Sequence, residues 1–239
     1  MEGAGSDIVL WTAAGLAFFH TAIGIDHVLP FAVIAQAQGW SWSRTLAVTA
    51  ACGVGHVASS VLIGALGFVL GLSLETLTGW EAGRGALAAS LLIGFGLLYA
   101  TWALWRLLRS RRHEHAHAHG SGVFHSHEHD HHGGHLHPHG ADLNPRGLTT
   151  WGLFILFVFG PCEALIPLMM APAAAGQAVV VVAVVLLFGG VTIATMLAGV
   201  ALARAGLSWA RWAPLERYVH VIAGLTIALS GAAVKWAGL

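Results

Sequence analysis

The sequence predicts an all-α polytopic membrane protein, with six transmembrane helices arranged as two three-helix inverted repeats about a His-rich central loop. Three observations carry this expectation. The chain is 56% hydrophobic and only 9% charged, with a mean hydropathy of +0.73, whereas a soluble domain carries about 25% charged residues. Six stretches, at roughly 8–36, 45–72, 84–107, 148–171, 177–203 and 214–237, each supply the about 20 apolar residues that one helical crossing requires. A polar, histidine-dense tract separates the third stretch from the fourth, so the chain falls into a first membrane repeat (1–108), a loop (109–147) and a second membrane repeat (148–239). Three crossings per half is an odd number, which forces the two halves into opposite topology.

Crossings of this kind are helices, because an open strand edge in lipid leaves backbone groups unpaired. Several exceed the minimum length, so tilt or kinks are expected, with Pro30, Pro161 and Pro167 as kink sites. Nine of the eleven basic residues fall on one side: Arg44 after the first span, Arg106, Arg109, Arg111, Arg112 and Arg146 around the loop, and Arg204, Arg211 and Arg217 between the last two spans. Only Arg84 and Lys235 fall on the other. The positive-inside rule then puts the loop in the cytoplasm and both termini outside a bacterial inner membrane. The first residues lack the basic region of a cleaved signal peptide, so the first hydrophobic segment is expected to be retained. With eleven acidic and eleven basic residues, net charge says nothing about nucleic acid, and no basic patch suggests it, so no nucleic-acid partner is expected. Cys52 and Cys162 both lie in apolar segments, which argues against an extracellular disulfide framework.

The first span contains the most costly residues. His20, Asp26 and His27 sit inside a run otherwise apolar enough to cross a membrane, and an unpartnered ionisable group at that depth costs at least about 2.5–3.5 kcal/mol. Imidazole and carboxylate together form a ligand set for divalent transition metals. On an unbroken helix His20 and His27 share a face but stand about 10.5 Å apart along the axis. Gly24 and Pro30 are the residues that would relax the helix between and after them. Asp26 would point elsewhere on a straight helix, leaving it to orient an imidazole or to ligate after unwinding. The plain alternative is a hydrogen-bonded cluster between helices.

In the second span Cys52 and His56 stand at i and i+4 on one face, among Gly53, Gly55, Ser59 and Ser60, residues small enough for close helix approach. Cys52 fits a small buried apolar role better than a ligand role. The fourth span carries Gly160-Pro161-Cys162-Glu163-Ala164-Leu165-Ile166-Pro167, where two prolines would break the helix and free carbonyls toward a cavity. A thiol and a carboxylate at such a break, Cys162 and Glu163, are candidate ligands for a borderline-soft cation. That motif echoes Gly24-Ile-Asp26-His27-Val-Leu-Pro30, and Gly189-Gly-Val-Thr192 echoes Gly53-Val-Gly-His56, as duplicated halves would. Thr192, Thr195 and Met196 in the fifth span fit packing. Glu216 and His220, one turn apart, suggest a surface pair near the cytoplasmic edge.

Residues 113–139 hold twelve histidines. The tract has nothing to bury and is expected to be disordered when metal-free, yet its alternating imidazoles form a multidentate, poorly selective trap for nickel, cobalt, zinc or copper. Neutral imidazole is the ligand, so capture should weaken as pH falls through about 6.5.

His20, five residues, then Asp26-His27 resembles the first-span signature of the nickel permeases of the hydrogenase- and urease-accessory HupE/UreJ type, and is similar to that of the nickel/cobalt transporters. The glycine-flanked His56, the Gly-Pro-Cys break and the histidine-rich loop resemble the NicO-type nickel/cobalt efflux permeases. The resemblance covers the whole architecture but rests on short motifs, and Glu163 has no counterpart in it. It implies transport of nickel and/or cobalt, with Zn2+ as a further candidate cargo, through a metal site of His20, Asp26, His27 and His56. Cys162 and Glu163 are added to that site from the break chemistry above. No catalytic residue and no tightly bound cofactor are expected. The implied partners are the divalent metal ion as substrate, the lipid bilayer, and a metallochaperone or a second copy of the chain. No Gly-x4-Gly-Lys-Ser/Thr motif is present, so transport would draw on a gradient or a partner. Two rivals share the topology. A thiol–disulfide electron carrier needs a cysteine pair in equivalent helices, and Cys52 and Cys162 are not so placed. A sulfite-exporter-like anion carrier needs deep basic side chains other than histidine.

The orientation is open to a direct test. Single cysteines introduced near positions 3 and 239 are expected to react with an impermeant thiol reagent from outside intact cells, and cysteines within 113–139 only after lysis. The reverse pattern would overturn the charge argument.

Overall fold

The computed structural model describes residues 2–109, 114–118, 124–128, 145–160, 162, 164–209 and 216–237. Its membrane body is helical throughout. In order, α1 (Glu2–Ile23) runs into a 3₁₀ turn (Ile25–His27), followed by α2 (Leu29–Ala37), α3 (Trp42–Val69) and α4 (Leu74–Arg109). The second half has α5 (Pro145–Phe159), α6 (Leu165–Ala174), α7 (Ala178–Trp209), a 3₁₀ turn (Glu216–Tyr218) and α8 (Val219–Ala237). Stretches within α1, α3, α4, α7 and α8 are each long and apolar enough to cross a membrane. Their outer faces agree: Trp11, Leu62, Leu98, Leu186 and Leu229, one on each, are all at least two-thirds exposed. An apolar surface on every long helix is the pattern of a protein solvated by lipid.

Three boundaries differ from the sequence expectation. The first and fourth predicted spans are each split, at Gly24–Val28 and at Gly160–Ala164, so neither α5 nor α6 reaches crossing length alone. Pro30 lies in the first turn of α2, where its missing N–H is no loss, and it starts that helix rather than bending one. The third helix begins at Leu74 instead of 84 and so draws Glu81 and Arg84 into the helix. Hydropathy alone rejects those two residues, but they stand at i and i+3 and pair with each other. In the central tract, β1 (Glu114–Ala118) and β2 (Phe124–Glu128) pair as an antiparallel ribbon with His115 opposite His127 and His117 opposite His125. The ribbon departs from the expected disorder of the tract, the rest of which lies outside the described residues.

α2 and α6 close alike. Each is followed by a glycine at positive φ, Gly39 (60°) and Gly176 (71°), which lets the next N–H turn back to a helix carbonyl: Trp40 to Ala35 and Gln177 to Pro172, both 2.9 Å. The α2–α3 turn is further tied to α7 by Arg204, which bonds Thr45 and the carbonyl oxygens of Trp40 and Ser41.

The helices pack in a cross-half pattern. α4 lies along α8, α3 crosses α7, α1 lies on α7 and α5 on α3, while α2 sits against α7 and α8. Phe31, Ile34, Leu153, Phe157, Met196 and Ile227 form the centre of the main core, with contributions from both halves. α4 and α8 approach so closely that a Cβ on Gly224 would stand 2.5 Å from the Ala100 nitrogen and 2.7 Å from the Gly96 oxygen. Small residues are what permit such backbone contact between membrane helices.

Alanine substitutions at two glycines should therefore act with opposite sign. Gly94→Ala meets nothing within 4 Å and should be neutral or stabilising by up to about 1 kcal/mol through helix propensity. Gly224→Ala should destabilise by about 1–3 kcal/mol by forcing the helices apart. Unfolding of the two variants in mixed detergent, compared with the unaltered protein, checks both.

Candidate metal centre

The break in the first span converts two distant imidazoles into neighbours. α1 stops at Ile23, the Gly24 N–H still bonds the His20 carbonyl at 3.0 Å, and the His27 N–H turns back to the Gly24 carbonyl at 3.0 Å. That tight turn brings the His20 and His27 rings to 5.1 Å between centroids, and His56 from the middle of α3 lies 5.2 Å from His27. One ligand nitrogen from each of the three lies within 4.8 Å of the others. Three imidazole nitrogens at about 2.1 Å from one ion stand about 3–3.5 Å apart, a small side-chain adjustment from the geometry seen.

The outward nitrogens are tied down. His27 Nδ1–H donates to Asp26 Oδ1 at 2.9 Å, and His56 Nδ1–H donates to the Phe157 carbonyl at 3.3 Å. A carboxylate and a carbonyl only accept, so each neutral ring must carry its proton on Nδ1 and keep a lone pair on Nε2. The Nε2 atoms of His20, His27 and His56 are all buried with no hydrogen-bond partner. Orphaned buried acceptors are costly. One nitrogen of each of the three rings lies within 4.8 Å of the others, an arrangement suited to holding a cation, with Asp26 and Phe157 fixing the orientation of the His27 and His56 rings. A cavity of about 30 Å³ adjoins His27 and His56, bordered also by Asp26, Phe157, Gly160 and small residues of α4 (Gly85, Ala88, Ala89).

Gly24 is built into this arrangement. A Cβ there would stand 2.5 Å from His27 Nδ1, 2.9 Å from the His20 oxygen and 3.1 Å from Asp26 Oδ1. Gly160 plays a similar part from the other break, where a Cβ would stand 3.2 Å from His56 Nδ1.

Of the remaining sequence candidates, neither Asp26 nor Cys162 belongs to the group of three ligand nitrogens. Asp26 does not join their ligand nitrogens but holds His27 from behind. Cys162 is buried in an apolar cluster with Ala13, Val57, Leu165 and Phe188, and its hydrogen bonds run through its backbone, the N–H to Ser60 Oγ and Glu81 and the carbonyl from the Leu165 N–H. Cys52 is buried in the separate core cluster around Phe31 and Phe157. Glu163 and Pro161 lie outside the described residues. His220 has its Nδ1 2.8 Å from the Tyr99 hydroxyl of α4; the side chain of Glu216, its expected partner, lies outside what the structure describes.

Two residues at the site's edge were missed by sequence reasoning. Glu81, fully buried, accepts from the Cys162 N–H at 3.1 Å and Ser60 Oγ at 3.2 Å and pairs with Arg84. Arg84 Nη2 donates to Ser59 Oγ (2.8 Å) and to the Val158 (3.0 Å) and Gly160 (3.2 Å) carbonyls. The signal available was a Glu–Arg pair at i, i+3 among Gly79, Gly83 and Gly85, immediately before an apolar run.

Fold and site together define a helical membrane protein with a buried three-imidazole cluster at a helix break. Comparison with protein-family models, with curated proteins and with solved structures finds no match to this chain.

Gly24→Ala should lower cation affinity by about 10–100-fold, the range for disturbing groups that orient ligands, while leaving helix content unchanged. Co2+ titration followed by visible absorption measures this in protein whose twelve loop histidines are replaced by asparagine, so that the loop does not compete.

Proposed function

We propose that the chain carries divalent transition-metal ions, nickel and/or cobalt, across the membrane through the cluster of His20, His27 and His56. The observation that carries the proposal is that one imidazole nitrogen from each of the three residues lies within 4.8 Å of the others, on rings whose buried Nε2 atoms have no hydrogen-bond partner. Neutral imidazoles suit nickel, cobalt and zinc, whereas hard cations such as Mg2+ and Ca2+ prefer oxygen. The family resemblance of the first-span motif narrows the cargo to nickel and cobalt. Asp26 then has two roles: it orients His27, and its charge offsets part of the ion's.

The architecture belongs to the same proposal. α5 and α6 together make one interrupted crossing, the counterpart of α1 and α2, so the chain crosses six times as two inverted repeats. Packing supports the pairing of halves: α1 on α7 corresponds to α5 on α3, α2 against α7 and α8 corresponds to α6 against α3 and α4, and α4·α8 and α3·α7 are self-paired. A site at the broken helices between repeats is where transporters of this construction bind their cargo, and rocking of one half against the other exposes it to each side in turn. The loop histidines collect metal at the cytoplasmic face.

The rivals fit less well. Cys52 and Cys162 occupy different apolar clusters, which leaves no dithiol for electron transfer. Arg84 does lie among the helices, but Glu81 and two carbonyls already engage it, so it offers no free cation to an anionic substrate.

Metal content of cells expressing matched membrane levels of each variant tests the proposal. His27→Ala and His56→Ala are expected to abolish the change in cellular nickel or cobalt produced by the unaltered protein. Asp26→Asn, which keeps the hydrogen-bonding shape and loses the charge, should reduce it by about 10–100-fold. Normal flux in abundant His27→Ala protein would sink the site.

A further inference from the structure

The two helix breaks are held differently. At the first, the backbone turn bonds back on itself, and the buried Nε2 atoms of His20 and His27 have no hydrogen-bond partner. At the second, a cation is already in place. α5 ends at Phe159 with carbonyls that have no intrahelical partner, and the Arg84 guanidinium donates to those of Val158 and Gly160 and to Ser59 Oγ. On the other side of the gap the Glu81 carboxylate receives the Cys162 N–H that leads into α6. Positive charge thus meets a helix C-terminus and negative charge a helix N-terminus, each the favourable sense of the helix dipole. The pair neutralises itself, and both members come from α4, one turn apart.

This assembly leads directly to the three-imidazole cluster. Phe157, the residue before Val158, accepts the Nδ1–H of His56, and Gly160 packs on the same ring. Where α5 ends therefore decides which nitrogen of His56 carries the proton and where its free Nε2 points.

We propose that Glu81 and Arg84 are positioning residues: a tethered ion pair occupies the α5–α6 break as a bound cation and its counter-charge would, and through the Phe157 carbonyl holds His56 in the Nδ1–H tautomer that presents Nε2 to the cargo. The second repeat's break is thereby a fixed support, and the first repeat's break is the one left open for an ion. The part concerning cargo rests on the proposed ion site; the part concerning His56 does not.

The test removes the pair together, because Arg84→Met alone would strand Glu81 as an unpaired buried charge. In Glu81→Gln/Arg84→Met, the glutamine oxygen still accepts from Cys162 while residue 84 no longer reaches the carbonyls. Arg84→Lys is the second variant: it keeps the charge but loses the planar fork that spans two carbonyls. Both are made in the background lacking loop histidines, which leaves His20, His27, His56 and His220 for 15N spectra. In the unaltered background His56 should be a single Nδ1–H tautomer. The double variant should give a tautomer mixture at His56, Arg84→Lys a smaller change in the same sense, and His27, held by Asp26, none. The Co2+ concentration for half-saturation should rise about 10–100-fold in the double variant.

A His56 that keeps its tautomer in folded protein of both variants would overturn the proposal, even if Co2+ affinity falls. A tautomer change in protein that binds no Co2+ even when unaltered would uphold the positioning role and remove the ion site instead.

Discussion

A backbone group released from a helix inside a bilayer has no water to turn to, and this one constraint organises the protein. The chain is interrupted within its first and fourth hydrophobic segments, and at each interruption several N–H and C=O groups lose their helical partners. At Gly24–Val28 the turn closes on its own backbone: the N–H groups of Gly24, His27 and Val28 bond back to carbonyls four, three and three residues earlier. At Gly160–Ala164, beside the local bonds of the Gly160 and Leu165 N–H groups, α4 supplies Glu81 and Arg84, with α3 supplying Ser59 and Ser60. What each break needs determines what its neighbours must be.

The consequences for chemistry follow from that difference. A break that closes on itself leaves its side chains free, so His20 and His27 turn their Nε2 atoms inward with nothing to receive. A break held by a guanidinium has its electrostatic demand met already, and the thiol next to it settles into an apolar cluster. His56 links the two: its Nε2 belongs to the first break and its Nδ1 to the second, through Phe157. Close glycine contacts hold α4 and α8 backbone to backbone, so the helix that carries the ion pair is fixed along its length by α8. Replacing either charge alone would be expected to cost several kcal/mol, because the remaining one has no water to return to.

Much was legible in the sequence because lipid imposes simple rules. Hydropathy located the long helices to within a few residues at Trp42, Ala178 and Val219, and the rarity of polar residues made His20, Asp26, His27 and His56 conspicuous. Glycine and proline flanking the Asp-His pair announced the first break. The same rules hid the ion pair. A window average treats Glu81 and Arg84 as the end of the membrane, although two opposite charges one turn apart cancel and can be carried inside.

By itself, then, the sequence determined the membrane class, the approximate placement of the apolar helices and the identity of the intramembrane imidazoles, because hydropathy and the expense of buried charge act residue by residue. Only the tertiary structure decided that Asp26 holds His27 rather than joining the imidazole nitrogens, that Cys162 turns into an apolar cluster, that His220 meets Tyr99, and that Glu81 and Arg84 cap the second break. Those outcomes depend on which hydrogen-bond acceptor or apolar surface a distant helix brings within reach, and no local pattern in the chain specifies that distance.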